Sequence, residues 1–113
     1  MTYAQLRRRT RMLNNKNELK ELIEFTEDAC HKFAILLKSA RERDHIARLL
    51  ASPESITAAE RAREKVVVGT EMLAKVLTNR YEACSTSTKK LIKSRDFHDL
   101  VGCMLITEME EEG

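Results

Sequence analysis

The chain has 113 residues, of which 42% are apolar and 34% charged, with a net charge of +2. That is too apolar for a disordered polymer and too charged for a membrane span, which needs roughly 18 uninterrupted apolar residues. The length suits one domain. One proline, three glycines and five aromatics imply few turns and a core of aliphatic side chains, which argues against a β-sandwich.

The start, Met1 to Arg11, has no apolar centre of the signal-peptide kind. Thr2 and Gln5 have the spacing of a capping box, in which each side chain answers the other residue's backbone N–H. They predict a short helix over about 3–13. This helix carries Arg7, Arg8, Arg9 and Arg11. Several arginines on one short helix could neutralise phosphates or meet an acidic partner. The run Asn14-Asn15-Lys16-Asn17 ends it, because asparagine side chains compete with the helix backbone.

A second helix is predicted over about 16–51, on the order of 50 Å long. Its apolar stripe runs without proline or glycine along three rows. The first is Leu19, Thr26, Phe33, Ala40, Ala47. The second is Leu22, Ala29, Leu36, Arg43, Leu50. The third is Ile23, Cys30, Leu37, Asp44, Ala51. Such a face exists to be covered by other helices. The stripe is widest between Leu19 and Ala40, which places the core there, opposite Val66 to Leu77 or a partner copy. It is compromised at Arg43 and Asp44. A bend or an exposed partner surface is therefore expected at Arg41, Arg43, Asp44 and His45.

Ser52-Pro53-Glu54-Ser55 marks the clearest break, since proline cannot continue a helix but fits the first turn of a new one. Thr57 and Glu60 form a further capping box, predicting a third helix over about 58–84. Its inner stripe is Ala59, Ala62, Val66, Gly69, Thr70, Leu73, Val76, Leu77, Cys84. Gly69 on that face suggests close approach of a neighbouring backbone. Ser85-Thr86-Ser87-Thr88 predicts a break. Ser94 is the expected cap of a last helix over about 95–109, whose inner face is Phe97, Leu100, Val101, Met104 and Leu105. An acidic tail covers 108–113. From Asp96 onward the chain has no Lys or Arg, so it is polarised from basic head to acidic tail.

Asp28 and His31 have the i, i+3 spacing of helical metal sites, but such sites need a second matching pair, and none is present. Glu27 and Cys30 supply no second half. Cys30, Cys84 and Cys103 sit inside helical pattern and are expected to be reduced thiols. There is no phosphate loop, Cys-x-x-Cys pair or nucleophile elbow. No cofactor or metal and no catalytic role are expected.

The segment Asp96-Phe97-His98-Asp99-Leu100-Val101-Gly102-Cys103 resembles the helix signature of CheZ, the chemotaxis response-regulator phosphatase, itself a long helical hairpin dimer. In that family a glutamine four residues after the aspartate positions the attacking water. Here that place holds Cys103, which has no amide, so the resemblance implies no catalytic residue in this chain.

Together these features predict an all-α protein. Its centre is a long antiparallel helical hairpin with short terminal helices, in a bundle completed either by those helices or, preferably, by a second copy. The expected role is that of a cytoplasmic regulatory or adaptor protein that binds another protein through its helical faces. The alternative is an RNA- or DNA-binding regulator that uses Arg7, Arg8, Arg9 and Arg11. No membrane contact is expected.

Overall fold

In a computed structural model of the chain, the structure describes residues 17–110. The predicted N-terminal helix with its four arginines, and the last three residues of the acidic tail, lie outside the described residues. The described residues form four helices and no strand. These are α1 (Asn17–Leu50), α2 (Pro53–Glu82), α3 (Thr86–Leu91) and α4 (Ser94–Glu110). None is long and apolar enough to cross a membrane.

α1 and α2 make the predicted antiparallel hairpin. α1 passes through Arg41-Glu42-Arg43-Asp44-His45 as one continuous α-helix. It ends where Ala51 takes a left-handed conformation, φ 50°, while its N–H still donates to the Ala47 carbonyl at 2.9 Å. That residue lets the chain reverse at once. Ser52 then caps α2, its hydroxyl accepting from the Ser55 amide at 3.2 Å, with Pro53 opening the helix. α2 thus begins five residues earlier than the expected start at Ala58. Thr57 is no cap. It lies inside the first turns and donates its hydroxyl back to the Pro53 carbonyl at 2.9 Å. Two cap signals compete in this stretch, and the one preceding proline wins because proline preorganises the first helical turn.

The break at Ser85–Thr88 is real. α2 stops at Glu82, and Ser85 caps the single short helix α3, accepting from the Thr88 amide at 3.4 Å. α4 then begins at Ser94 itself, with the Lys93 carbonyl accepting from the Phe97 amide at 2.9 Å. Ser94 is therefore the first helical residue rather than the cap. At its far end α4 stays helical to Glu110.

α4 folds back along α1 and closes a three-helix core at one end of the hairpin. That core is Leu19, Leu22, Ile23 and Cys30 of α1, Leu77 and Tyr81 of α2, Ile92, and Phe97, Leu100 and Met104 of α4. The Tyr81 and Phe97 rings stack with centroids 5.0 Å apart, and the Tyr81 hydroxyl donates to the Ile92 carbonyl at 2.8 Å. Thr26, buried on the core row, satisfies its hydroxyl on the Leu22 carbonyl at 2.7 Å. The core thus lies within the expected Leu19 to Ala40 span, in its first part. Of the two completions expected, a terminal helix folding back or a second copy, α4 supplies the first at this end of the hairpin.

Beyond α4 the described residues of the hairpin form a two-helix arm. The Cα radius of gyration is 17.0 Å, against about 13 Å for a compact domain of this length. Two helices cannot cover each other's whole apolar surface, so Val67, Val68, Met72 and Val76, expected opposite the core or beside it, are exposed. Gly69 does lie against α1. What it makes room for is side chain and not backbone: a Cβ there would stand 2.8 Å from Leu36 Cδ2 and 3.4 Å from the Phe33 ring.

Candidate functional site: the distal arm of the hairpin

The arm is built from the last five turns of α1 and the first turns of α2. Of the expected surface residues, Arg41, Arg43 and His45 are exposed and Asp44 is half-buried. Asp44 occupies a core row because it has a task there. Its carboxylate takes Arg48 of its own helix at 3.1 Å and Arg63 of α2 in a still closer contact. The hydrogen bond from Arg63 is the main reason the Asp44 carboxyl is held below its usual range, with the charges of Arg63 and Arg48 adding to it. The clasp fixes the register of the two helices near the turn, where apolar contact is thin.

Two shallow depressions flank the clasp. One of about 200 Å³ lies in the groove between the helices, lined by Ala47, Ile56 and Ala59 together with Asp44, Arg48, Glu60 and Arg63. The other, wide open, lies along α1 over Ile35, Lys38, Ser39, Arg41, Glu42 and His45. Arg43 borders neither, so the structure groups Arg41 with His45, and Asp44 with Arg48 and Arg63.

At the closed end of the hairpin stand Ile46, Leu49, Leu50 and Ile56. Leu49 is 70% exposed and Leu50 66%. Sequence pattern placed Leu50 on the inner stripe. It is exposed because the helix ends there and the chain reverses at Ala51, so no further turn of α1 covers it. Only the abruptness of the Ser52-Pro53 break signalled this.

The other candidates separate. Asp28 pairs with Lys32 at 3.0 Å, while His31 reaches across to Glu108 of α4 at 2.9 Å. Among the described residues no three His, Cys, Asp or Glu side chains converge as a metal site would require. None of the three cysteines is in a disulfide. Burial, with Glu108 and Glu27 nearby, pushes the Cys30 thiol up to about 11. Burial likewise raises Cys84.

One polar cluster was not foreseen. Oε1 of Glu18, in the first turn of α1, accepts from the Ser85 amide at 2.8 Å, the Ser85 hydroxyl at 2.6 Å and the Thr88 hydroxyl at 2.5 Å. Those bonds, aided by the Arg80 charge, hold the Glu18 carboxyl down at about 2. The cluster joins groups far apart in sequence, and its task is structural: it pins the α2–α3 turn to the start of α1.

The chain matches no protein-family model, no curated protein sequence and no solved structure. Within the segment resembling the chemotaxis phosphatase, Phe97 and Leu100 are buried core residues and Cys103 is half-buried. His98 and Asp99 of the same segment are exposed, so the likeness is spread over both the packed and the open side of α4.

Proposed function

We propose that this protein is a small cytoplasmic regulatory or adaptor protein that works by binding another protein through the distal arm of its hairpin. The observation that carries the reading is the cluster Ile46, Leu49, Leu50 and Ile56, set on a rigid helical end away from the core. Clustered exposed aliphatic residues are costly in water and mark sites of contact. Among the described residues Leu49 and Leu50 take no part in the core, so their exposure points to contact with something else.

The test is capture of partners by tagged protein and by a Leu49→Ser, Leu50→Ser double variant, with and without nuclease. Protein partners that survive nuclease and are lost by the variant support the reading. Partners that vanish with nuclease whatever the state of the tip favour nucleic-acid binding through Arg7, Arg8, Arg9 and Arg11.

A second copy is the proposed cover for another exposed row. Val68, Met72 and Val76 recur every four residues along α2 and are 54%, 60% and 42% exposed. That spacing puts them on one side of the helix, where two hairpins could pair into a four-helix core. Sedimentation at twice the chain mass, reduced to the single-chain mass by Met72→Glu, would support the pairing. A single-chain mass for the wild type at high concentration would end it.

A further inference from the structure

The groove that holds α4 does not stop where α4 stops. On α2, Tyr81 and Leu77 face the α4 layer. Arg63 and Ala59 each stand eighteen residues earlier, five full turns of a 3.6-residue helix, and so face the same way. On α1, Cys30 lies beneath α4, and Arg48 stands five turns beyond it. The inter-helix depression lined by Ala47, Ile56 and Ala59 is therefore the distal continuation of the α4 groove.

The charges along that continuation have a sign. His31 of α1 receives Glu108 of α4. Lys38 and His45 follow His31 at intervals of seven, on the same side of the helix. Ala34, buried in α1, is followed in the same way by Arg41 and Arg48. With Arg63 opposite, Lys38, Arg41, Arg48 and Arg63 stand against Glu42, Asp44 and Glu60, and since Arg48 and Arg63 share the single carboxylate of Asp44 the rim keeps a small positive excess. The helix known to fit the proximal half matches this pattern. α4 presents Phe97, Leu100 and Met104 to the groove, and after Arg95 it carries only acidic charges, at Asp96, Asp99, Glu108 and Glu110.

We propose that the distal groove is a docking site for an acidic amphipathic helix of a partner protein. That helix lies end to end with α4, its aliphatic side chains entering between Ala47, Ile56 and Ala59, and its carboxylates meeting Lys38, Arg41, Arg48 and Arg63. The proposal rests on the protein-binding reading above and specifies its partner. The mode is helix-in-groove recognition, with apolar anchors giving affinity and charge giving orientation.

The probe is a synthetic peptide with the 17-residue sequence of α4, titrated into the isotope-labelled full chain while backbone amide resonances are followed. Shifts are expected over residues 38–48 and 56–63, and binding should weaken about tenfold in the Lys38→Glu, Arg41→Glu, Arg48→Glu triple variant and again at high salt. All three side chains are on the surface, and circular dichroism checks that the variant folds. Absence of binding, shifts confined to Val68–Val76, or binding unchanged in the triple variant would each overturn the proposal. So would an RNA duplex that shifts residues 38–48 where the peptide does not. If a captured protein depends on Leu49 and Leu50 but is indifferent to the triple variant, the adaptor reading survives and the acidic-helix groove falls.

Discussion

Glu18 and Ser85, 67 positions apart, are joined by two hydrogen bonds to a single carboxylate oxygen, from the Ser85 amide at 2.8 Å and its hydroxyl at 2.6 Å. A third, from Thr88 at 2.5 Å, completes a polar clamp beside the core. The clamp explains how a six-residue helix with little apolar surface is held in place: its cap residue is anchored to a different helix.

The clamp makes stability depend on acid. A carboxyl whose folded value is about 2 against an ordinary 4.5 contributes stability that is fully present above pH 4.5 and lost as pH falls toward 2. Wild-type protein should therefore lose stability through that window in denaturant titrations. Glu18→Gln should be less stable at pH 7 and flatter between pH 4.5 and 2. An equal slope in both proteins would mean that the clamp is not what titrates.

Ala51 is strained by its left-handed conformation, since a Cβ is unfavourable there and glycine is not. Ala51→Gly should stabilise the protein by roughly 0.5–1 kcal/mol, seen as a rise of a few degrees in Tm. Ala51→Pro should do the reverse, because proline cannot reach that φ and removes the N–H that bonds to Ala47.

Core and tip should respond oppositely to truncation. Leu100 has 0% exposure in the three-helix core, so Leu100→Ala should cost about 2–5 kcal/mol in chemical unfolding. Leu49→Ala should shift the midpoint within about 0.5 kcal/mol while weakening partner capture. Similar unfolding costs for the two would show that the tip is buried in solution.

Gly69→Ala brings a methyl group against Leu36 Cδ2, the end of a half-buried side chain that can turn aside. The gain in helix propensity, about 1 kcal/mol, should offset that displacement and leave calorimetric stability nearly unchanged. Gly69→Leu has no such escape between Leu36 and Phe33 and should cost about 1–3 kcal/mol through overpacking.

Thiol labelling should rank the cysteines. Cys30 is wholly buried, with its thiol held at about 11, and reactivity follows the exposed thiolate. It should stay unmodified in native protein and react on unfolding, with half-buried Cys103 labelling first. Native labelling of Cys30 at the rate of Cys103 would place an opening motion at the start of α1.

Much of the architecture was legible because it is periodic. The rows through Leu19, Leu22, Ile23 and Cys30 announced α1, and Phe97, Leu100 and Met104 announced the inner face of α4. Breaks at Ser52-Pro53 and Ser85–Thr88 were written in cap chemistry. Thr57 and Ser94 misled because a hydroxyl suited to capping also fits inside a first turn, and local sequence does not rank competing caps. Asp44 on a core row read as a defect. Its partner Arg63 comes from another helix, and no spacing within α1 points to it.

Side-chain spacing and backbone capping act within a few residues, so they set the helices, the hairpin turn and most of each buried stripe, though Leu50 and Val76 on those stripes end up exposed. Only the tertiary structure decided that α4 covers the proximal half of the hairpin, that Glu18 pins the Ser85 turn, and that Leu49, Leu50, Val68 and Met72 are left outside. An apolar stripe specifies that it be covered and is indifferent to which helix covers it. That choice is made by loop length, by register, and by polar partners that meet only once the chain has folded.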